Sequence, residues 1–220
     1  LVFLTGGDKP QHFGQLYSGP AEPFFRSSGI TPVQDGFEKT VFAPGDFGGG
    51  CYRSDAVVIT ETVLAPETNT NLKPWIGYQY SVQNNGCEDI HEAYVLWELD
   101  FDVAEDNIDA FRCDLNRHLG MSRPSVEDDS RISAGVFGQS PEHNFVCGAY
   151  MNGEYAYERV RSIASGDPSD PELTGDLRLV VGYGPLSIPA NNAVEVYMAL
   201  GLEGGAFPDF AATRAEGQPQ

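Results

Sequence analysis

The chain has 220 residues, of which 41% are hydrophobic, including 13 Phe, 10 Tyr and 2 Trp. This content is enough for the core of one large all-β domain, and it excludes a wholly disordered chain. Thirteen basic residues against 32 acidic ones give a formal net charge of −19, which repels nucleic acid phosphates and anionic membrane surfaces. We therefore expect no nucleic acid partner and no membrane insertion.

The start of the sequence and its cysteines predict an exported protein. No apolar run approaches the roughly 20 residues that span a bilayer, and the chain begins at Leu1 without a Met or a basic leader. This predicts a secreted or cell-surface chain after removal of a signal peptide. The four cysteines, Cys51, Cys87, Cys113 and Cys147, contain no C-x-x-C pair, so we expect two disulfides rather than a metal site. Of the three possible pairings, the short closures Cys51 with Cys87 and Cys113 with Cys147 are favoured.

Residues 1–55 are rich in Gly and Pro, and their short apolar stretches are separated by turn signals. This composition predicts an irregular N-terminal arm with a few edge strands. The arm opens with Leu1, Val2, Phe3 and Leu4, which form an assembly segment if they add a strand to the sheet of another subunit. The alternative is that they form the first strand of the chain's own sandwich.

From residue 56 onward, β-branched and aromatic residues predict a series of strands. These strands are expected at residues 56–64, 75–82, 93–103, 132–137, 145–151, 155–163, 177–183 and 194–202. The turn residues at 83–86 predict a hairpin between the second and third of them. A Pro start and Ala content predict one short C-terminal helix at 208–215. The whole pattern predicts an all-β fold, an antiparallel two-sheet sandwich of jelly-roll type over residues 56–220.

Alternation is strict in the strand at 93–103, where Trp97 and its alternate neighbours form a core face. The other face carries Glu98, Asp100 and Asp102, spaced about 7 Å apart along the strand. Clustered carboxylates suit calcium, which takes several oxygen ligands at once. We therefore predict calcium ligands, with no other cofactor, and the alternative is a solvated acidic face. The predicted ligands are Asp100, Asp102, Asp106 and Asp109.

Several short motifs resemble those of β-sandwich domains in large secreted bacterial surface proteins. In that group, a strand ending in Asn precedes a strand that finishes in D-x-D, as at Val82-Gln83-Asn84 and Asp100-Phe101-Asp102. The tail matches in Asp176-Leu177-Arg178 and in Gly184-Pro185. The resemblance covers the C-terminal two thirds of the chain. It implies an extracellular β-sandwich and brings no catalytic residues with it.

The stretch Glu98-Leu99-Asp100-Phe101-Asp102 is also similar to the E-x-D-x-E strand of jelly-roll retaining β-glucanases. In that family the first carboxylate is the nucleophile and the last is the acid/base, so the similarity implies these roles for Glu98 and Asp102. Asp102 stands where the family has Glu, and its shorter side chain changes the reach to the glycosidic oxygen.

These observations favour an extracellular structural or surface-assembly subunit, of the filament or sheath kind, whose partner is a second copy of itself. One alternative is a secreted enzyme that cleaves polysaccharide through Glu98 and Asp102. Another alternative is a carbohydrate-binding module that stacks sugars on exposed aromatic residues. The alternating residues Tyr78, Tyr80, Tyr155 and Tyr157 are candidates for such a platform, although alternating Tyr on a half-buried sheet is also typical of ordinary packing.

Overall fold

The computed structural model describes the following residues: 2–4, 12–14, 26–27, 31–33, 36–45, 53–64, 75–101, 109–124, 132–138, 140, 142–153, 156–167, 169–170 and 173–204. Five strands precede residue 53: β1 Val2–Leu4, β2 His12–Gly14, β3 Arg26–Ser27, β4 Thr31–Val33 and β5 Gly36–Gly45. Ten strands follow: β6 Arg53–Leu64, β7 Trp75–Asn84, β8 Ile90–Asp100, β9 Asp109–Asp114, β10 Leu119–Pro124, β11 Ile132–Gly138, β12 Phe145–Met151, β13 Thr174–Gly175, β14 Leu177–Ile188 and β15 Ala193–Gly204. Within these described residues, the helical elements are a 3-10 turn, η1 Leu115–Arg117, and one α-helix, α1 Ala156–Ala164.

The strands form two antiparallel sheets, which confirms the predicted all-β sandwich. The small sheet has the order β12-β14-β8-β1-β2. The large sheet has the order β13-β9-β10-β11-β15-β7-β6-β5-β3, and β4 pairs with β5 beside this path. Side chains that point inward from both sheets form the main core, as in other sandwiches.

The core begins in the first residues of the chain. β1 lies between β8 and β2 in the small sheet, with Phe3 opposite Val95 and Phe13. The Phe3 side chain is 0% exposed and belongs to the main core. Residues 2–4 therefore form a strand of the chain's own sandwich. This is the alternative to an assembly segment that the sequence leaves open.

The hairpin predicted across residues 83–86 is wrong, because β7 lies in the large sheet and β8 lies in the small one. The buried side chain of Asn84 explains the crossing. Its Nδ2 donates to the carbonyl oxygens of Glu88 at 2.8 Å and Ile188 at 3.0 Å. Its Oδ1 accepts from the N–H of Gly86 at 2.8 Å. These bonds hold a longer connection that passes from one sheet to the other.

The strand predicted at 155–163 is also wrong, because residues 156–164 form α1. Val160, Ile163 and Ala164 follow the helical i, i+3, i+4 spacing, and they pack on Leu96 and Val180 of the small sheet. This helix covers part of the outer face of the small sheet. No helix within the described part of the chain is long and apolar enough to cross a membrane. The helix predicted at 208–215 lies outside the described residues.

The disulfide predicted between Cys113 and Cys147 is confirmed. It links β9 of the large sheet to β12 of the small sheet, so it joins the two layers of the sandwich covalently. Cys87 is disulfide-bonded as well, and Cys51, its predicted partner, lies outside the described residues.

Candidate functional site

The carboxylates singled out in the sequence, Glu98 and Asp100, lie near the end of β8 on the outer face of the small sheet. Arg178 of β14 is the register partner of Asp100, and Tyr150 of β12 is the register partner of Arg178. Three adjacent strands therefore place Tyr150, Arg178 and Asp100 in one row across the sheet. Glu98 lies two residues away from this row along β8, on the same face.

The Arg178 guanidinium contacts both carboxylates. Its Nη1 donates to Glu98 Oε1 at 3.1 Å, and its Nη2 lies 3.2 Å from Asp100 Oδ2. Its Nε donates to Asn152 Oδ1 at 3.0 Å. The Tyr150 hydroxyl donates a hydrogen bond to the same Glu98 oxygen. We call Glu98, Asp100, Tyr150 and Arg178 the Glu98 network.

The electrostatics of this network favour a charged arginine and a neutral tyrosine. Burial raises the pKa of Tyr150, and its hydrogen bond to Glu98 raises that pKa further. Partial burial lowers the pKa of Arg178, but the Glu98 hydrogen bond and the charges of Asp100 and Glu98 outweigh this, so the pKa of Arg178 is raised overall. The Glu98 side chain is only 8% exposed. Its charge is therefore balanced by groups that also bind it directly.

This arrangement limits what Glu98 can do chemically. A nucleophile of a retaining glycosidase must reach the sugar and needs a second carboxyl about 5 to 5.5 Å away. Glu98 instead accepts hydrogen bonds from Tyr150 and Arg178 on the same oxygen. Asp102, the implied acid/base, lies outside the described residues, so this alternative stays a prediction.

The structure does not bring the described calcium candidates together. Asp100 lies on the outer face of the small sheet beside Arg178. Asp109 is a buried residue of β9 in the large sheet. Among the residues that the structure describes, no group of three or more His, Cys, Asp and Glu side chains could hold a metal ion. Asp102 and Asp106 lie outside these residues, so the calcium site stays a prediction.

The alternating tyrosines of β7 pack inside the sandwich. Tyr78 lies edge-on to Trp97 with 4.7 Å between ring centroids. Trp97 Nε1 donates to the Tyr80 hydroxyl at 2.6 Å, and that hydroxyl donates to Glu61 Oε2 at 2.7 Å. Tyr80 is 1% exposed, so this residue belongs to the core rather than to a sugar-stacking platform.

A pocket of about 870 Å³ lies where β9 and β12 approach each other. The Cys113–Cys147 disulfide is part of its wall, and Leu115 of η1 lines it with a side chain that is 56% exposed. The lining residues are mostly apolar, and they come from β8, β9, η1, β12, β14, the end of α1 and the segment that follows it. A concave, mainly apolar site of this size is typical of a binding site. We call it the disulfide pocket.

The sequence predicts no such pocket, although part of the signal for it is present. Phe111 and Leu115 lie two residues before and two residues after Cys113, while Phe145 and Val146 directly precede Cys147. A predicted disulfide with apolar residues close to both cysteines indicates where two strands meet. The wall from α1 cannot be found in this way, because the alternation at residues 155–163 predicts a strand.

Fold and site together define a disulfide-bonded antiparallel β-sandwich with a lateral pocket. No family model and no curated protein matches the sequence. Among solved structures, a "putative kojibiose phosphorylase from human microbiome" matches over 98% of this chain and 23% of its own length, with 6% identity and a TM-score of 0.48. A heparinase III gene product matches over 82% of this chain and 22% of its own length, with 9% identity and a TM-score of 0.39. The chain thus spans less than a quarter of either protein, and neither match assigns it a function.

Proposed function

We propose that this chain is an extracellular, non-catalytic structural subunit that assembles at a surface with other copies of itself. The Glu98 network is the observation that supports this best. Glu98 and Asp100 both pair with Arg178, and Tyr150 also binds Glu98. Glu98, the carboxylate that the rival enzyme would use as its nucleophile, is therefore engaged in cross-strand contacts of the framework.

The disulfide between β9 and β12 supports the extracellular part of the proposal. Disulfides persist in oxidising compartments and are rare in the cytosol. The resemblance of the strand motifs to domains of secreted surface proteins points the same way. The calcium prediction fits an extracellular setting as well, and it remains attached to the acidic residues that follow β8.

The rival function is polysaccharide cleavage through Glu98 and Asp102, and one experiment separates the two. Wild-type protein and a Glu98→Gln variant are incubated with a panel of soluble β-glucans and other polysaccharides, and released reducing ends are measured. We expect no hydrolysis by either protein. We also expect the variant to unfold at lower urea concentration, because Arg178 loses the more buried of its two charged partners.

One result would establish the rival function instead. Hydrolysis by the wild type that disappears in Glu98→Gln, with an unchanged urea midpoint, would establish the enzyme and refute a purely structural network. Asn152→Ala serves as the matched control, because it removes a neighbouring contact of Arg178 and leaves the carboxylates in place.

A further inference from the structure

β12 is an unusual edge strand for this protein. It lies at one end of the small sheet and spans seven residues, Phe145–Met151, with no charged residue and no proline. The other strands at the ends of the two described sheets, β2, β3 and β13, have only two or three residues. Natural edge strands are usually short or protected by charges, proline or bulges. A long uncharged edge in a chain of net charge −19 therefore indicates a pairing surface.

The register shows which backbone groups of β12 point away from the sheet. Just outside the paired strands, the Gly184 N–H donates to the Asn144 carbonyl at 3.0 Å, and the Asn152 N–H donates to the Asp176 carbonyl at 2.8 Å. Bonding residues alternate in an antiparallel pair, so the even-numbered residues of β12 face β14. The N–H and C=O of Phe145 and Cys147 therefore point outward, into the region of the disulfide pocket.

The far half of this edge is already covered. The Ala149 N–H points outward and donates to the Ser169 hydroxyl oxygen at 2.9 Å. The segment that follows α1 thus caps the edge at Ala149. Among the described residues, none adds a strand to the first half of β12, residues 145–148, and this half is the part proposed for pairing.

The disulfide pocket has room on both faces of this edge. Val146 and Tyr94 line it and belong to the cluster on the outer face of the small sheet. Phe145 and Phe111 also line it and belong to the core between the sheets. An added strand sends successive side chains to opposite faces. A pocket that includes both faces of the edge therefore fits an extended polypeptide segment.

We propose that the disulfide pocket and the edge at residues 145–148 bind β2 of a second copy of this chain. β2, His12–Gly14, lies at the opposite end of the same sheet. It lies within residues 10–21, which contain no Asp, Glu, Lys or Arg. On the other side, β12 carries no charge, and the two charged residues of the pocket lining, Arg112 and Asp167, have opposite signs. Two copies of net charge −19 repel each other least where neither partner carries a net charge. Pairing of unlike edges is heterologous, so it adds subunits to a growing sheet.

This inference rests on the proposed function and names the surfaces through which the subunits would join. It also predicts that salt changes the extent of assembly. Repulsion between acidic copies is screened by salt, so assembly should increase when sodium chloride is raised. Binding of a basic foreign partner at the same pocket would instead weaken with salt.

The test uses one variant for each surface. Leu115→Asp places a charge in the pocket at an exposed position, and Ile76→Asp is its control, because Ile76 is also an exposed apolar residue at 41% and lies on β7. The double variant Gln11→Asp/Gln15→Asp places charges beside β2. Each protein is first checked for wild-type circular dichroism and thermal midpoint. Its mass is then measured by light scattering after size exclusion, at low and high salt.

We expect wild type and Ile76→Asp to form oligomers in high salt, and we expect each surface variant alone to be monomeric. An equimolar mixture of the two surface variants should stop at a dimer, because only one intact pair of surfaces remains. Assembly of the surface variants like wild type would overturn these surfaces and leave the proposed function standing. A wild type that stays monomeric at high salt would overturn both.

Discussion

Arg178 has a central place among the polar side chains on the outer face of the small sheet. It contacts two carboxylates of one strand and an amide of a neighbouring turn, Glu98, Asp100 and Asn152. Of its two ion-pair partners, Glu98 is largely buried and Asp100 is exposed. An ion pair with a buried partner adds little net stability over apolar packing, but removing one member leaves an uncompensated charge. The residue is therefore better understood as a fixed cross-strand contact than as part of a reactive site.

Tyr150 allows this interpretation to be tested through pH. Burial and the bond to Glu98 raise the pKa of Tyr150 in the folded protein, so the folded state holds the phenol proton more tightly than the unfolded chain. The resulting stability is present below about pH 10 and is lost as the pH rises above the pKa of an unfolded tyrosine. Tyr150→Phe should therefore reduce the alkaline loss by up to about 1.4 kcal/mol per pH unit.

Urea unfolding between pH 8 and pH 11 measures this slope. Tyr150→Phe should also cost about 2 kcal/mol at pH 8, because a hydrogen bond to a charged group is lost. Asn152→Ala, which removes a neighbouring bond and no phenol, should keep the wild-type slope. Identical alkaline slopes in Tyr150→Phe and wild type would contradict the role given to the Glu98 bond.

At the scale of elements, the sequence predicts strands well where one face is buried. The alternation around Trp97 predicts β8, and the apolar run at 145–151 gives the bounds of β12 as observed. The sequence pattern predicts no strand for residues 109–124, yet they form β9 and β10 around η1. β9 is stabilised by its pairing with β10 and by the disulfide at Cys113. Such long-range contacts cannot be predicted from the local amino-acid composition.

The helix α1 shows a different reason for failure. Its sequence alternates tyrosine and arginine with other residues over 155–161, which imitates a strand of period two. Its buried residues, Val160, Ile163 and Ala164, follow the helical period instead. The site is only partly predictable from the sequence, because its residues lie on separate strands. The alternation along β8 identifies Glu98 and Asp100, whereas Tyr150 and Arg178 lie on strands that only the fold brings beside β8.

The disulfide between β9 and β12 is expected to contribute to the free energy of unfolding. The Cys113–Cys147 disulfide closes a separation of 34 residues, for which loop-closure entropy gives about 4 kcal/mol of stabilisation. The double variant Cys113→Ser/Cys147→Ser should therefore lose about 2–4 kcal/mol in urea unfolding under oxidising conditions. Ser165→Ala, a substitution in the same pocket wall, should stay within about 0.5 kcal/mol of wild type. A double variant with the wild-type midpoint would show that packing alone holds the two sheets together.

At the scale of the whole molecule, the net charge of −19 affects both folding and association between copies. Like charges oppose the compact state, and they also oppose contact between copies. The uncharged strands β2 and β12 lie at the two ends of the small sheet. Contact between copies at these two edges therefore brings no further charged strand residues together.

The same charge predicts that salt stabilises the folded monomer. Raising sodium chloride from 10 to 100 mM shortens the screening length from about 30 to about 10 Å, so the thermal midpoint of a dilute sample should rise by several degrees. Calcium chloride at matched ionic strength tests the predicted ligands Asp100, Asp102, Asp106 and Asp109. A higher midpoint in calcium that is lost in Asp102→Asn/Asp106→Asn would support a calcium site. Equal midpoints in the two salts would contradict calcium binding and leave screening as the whole effect.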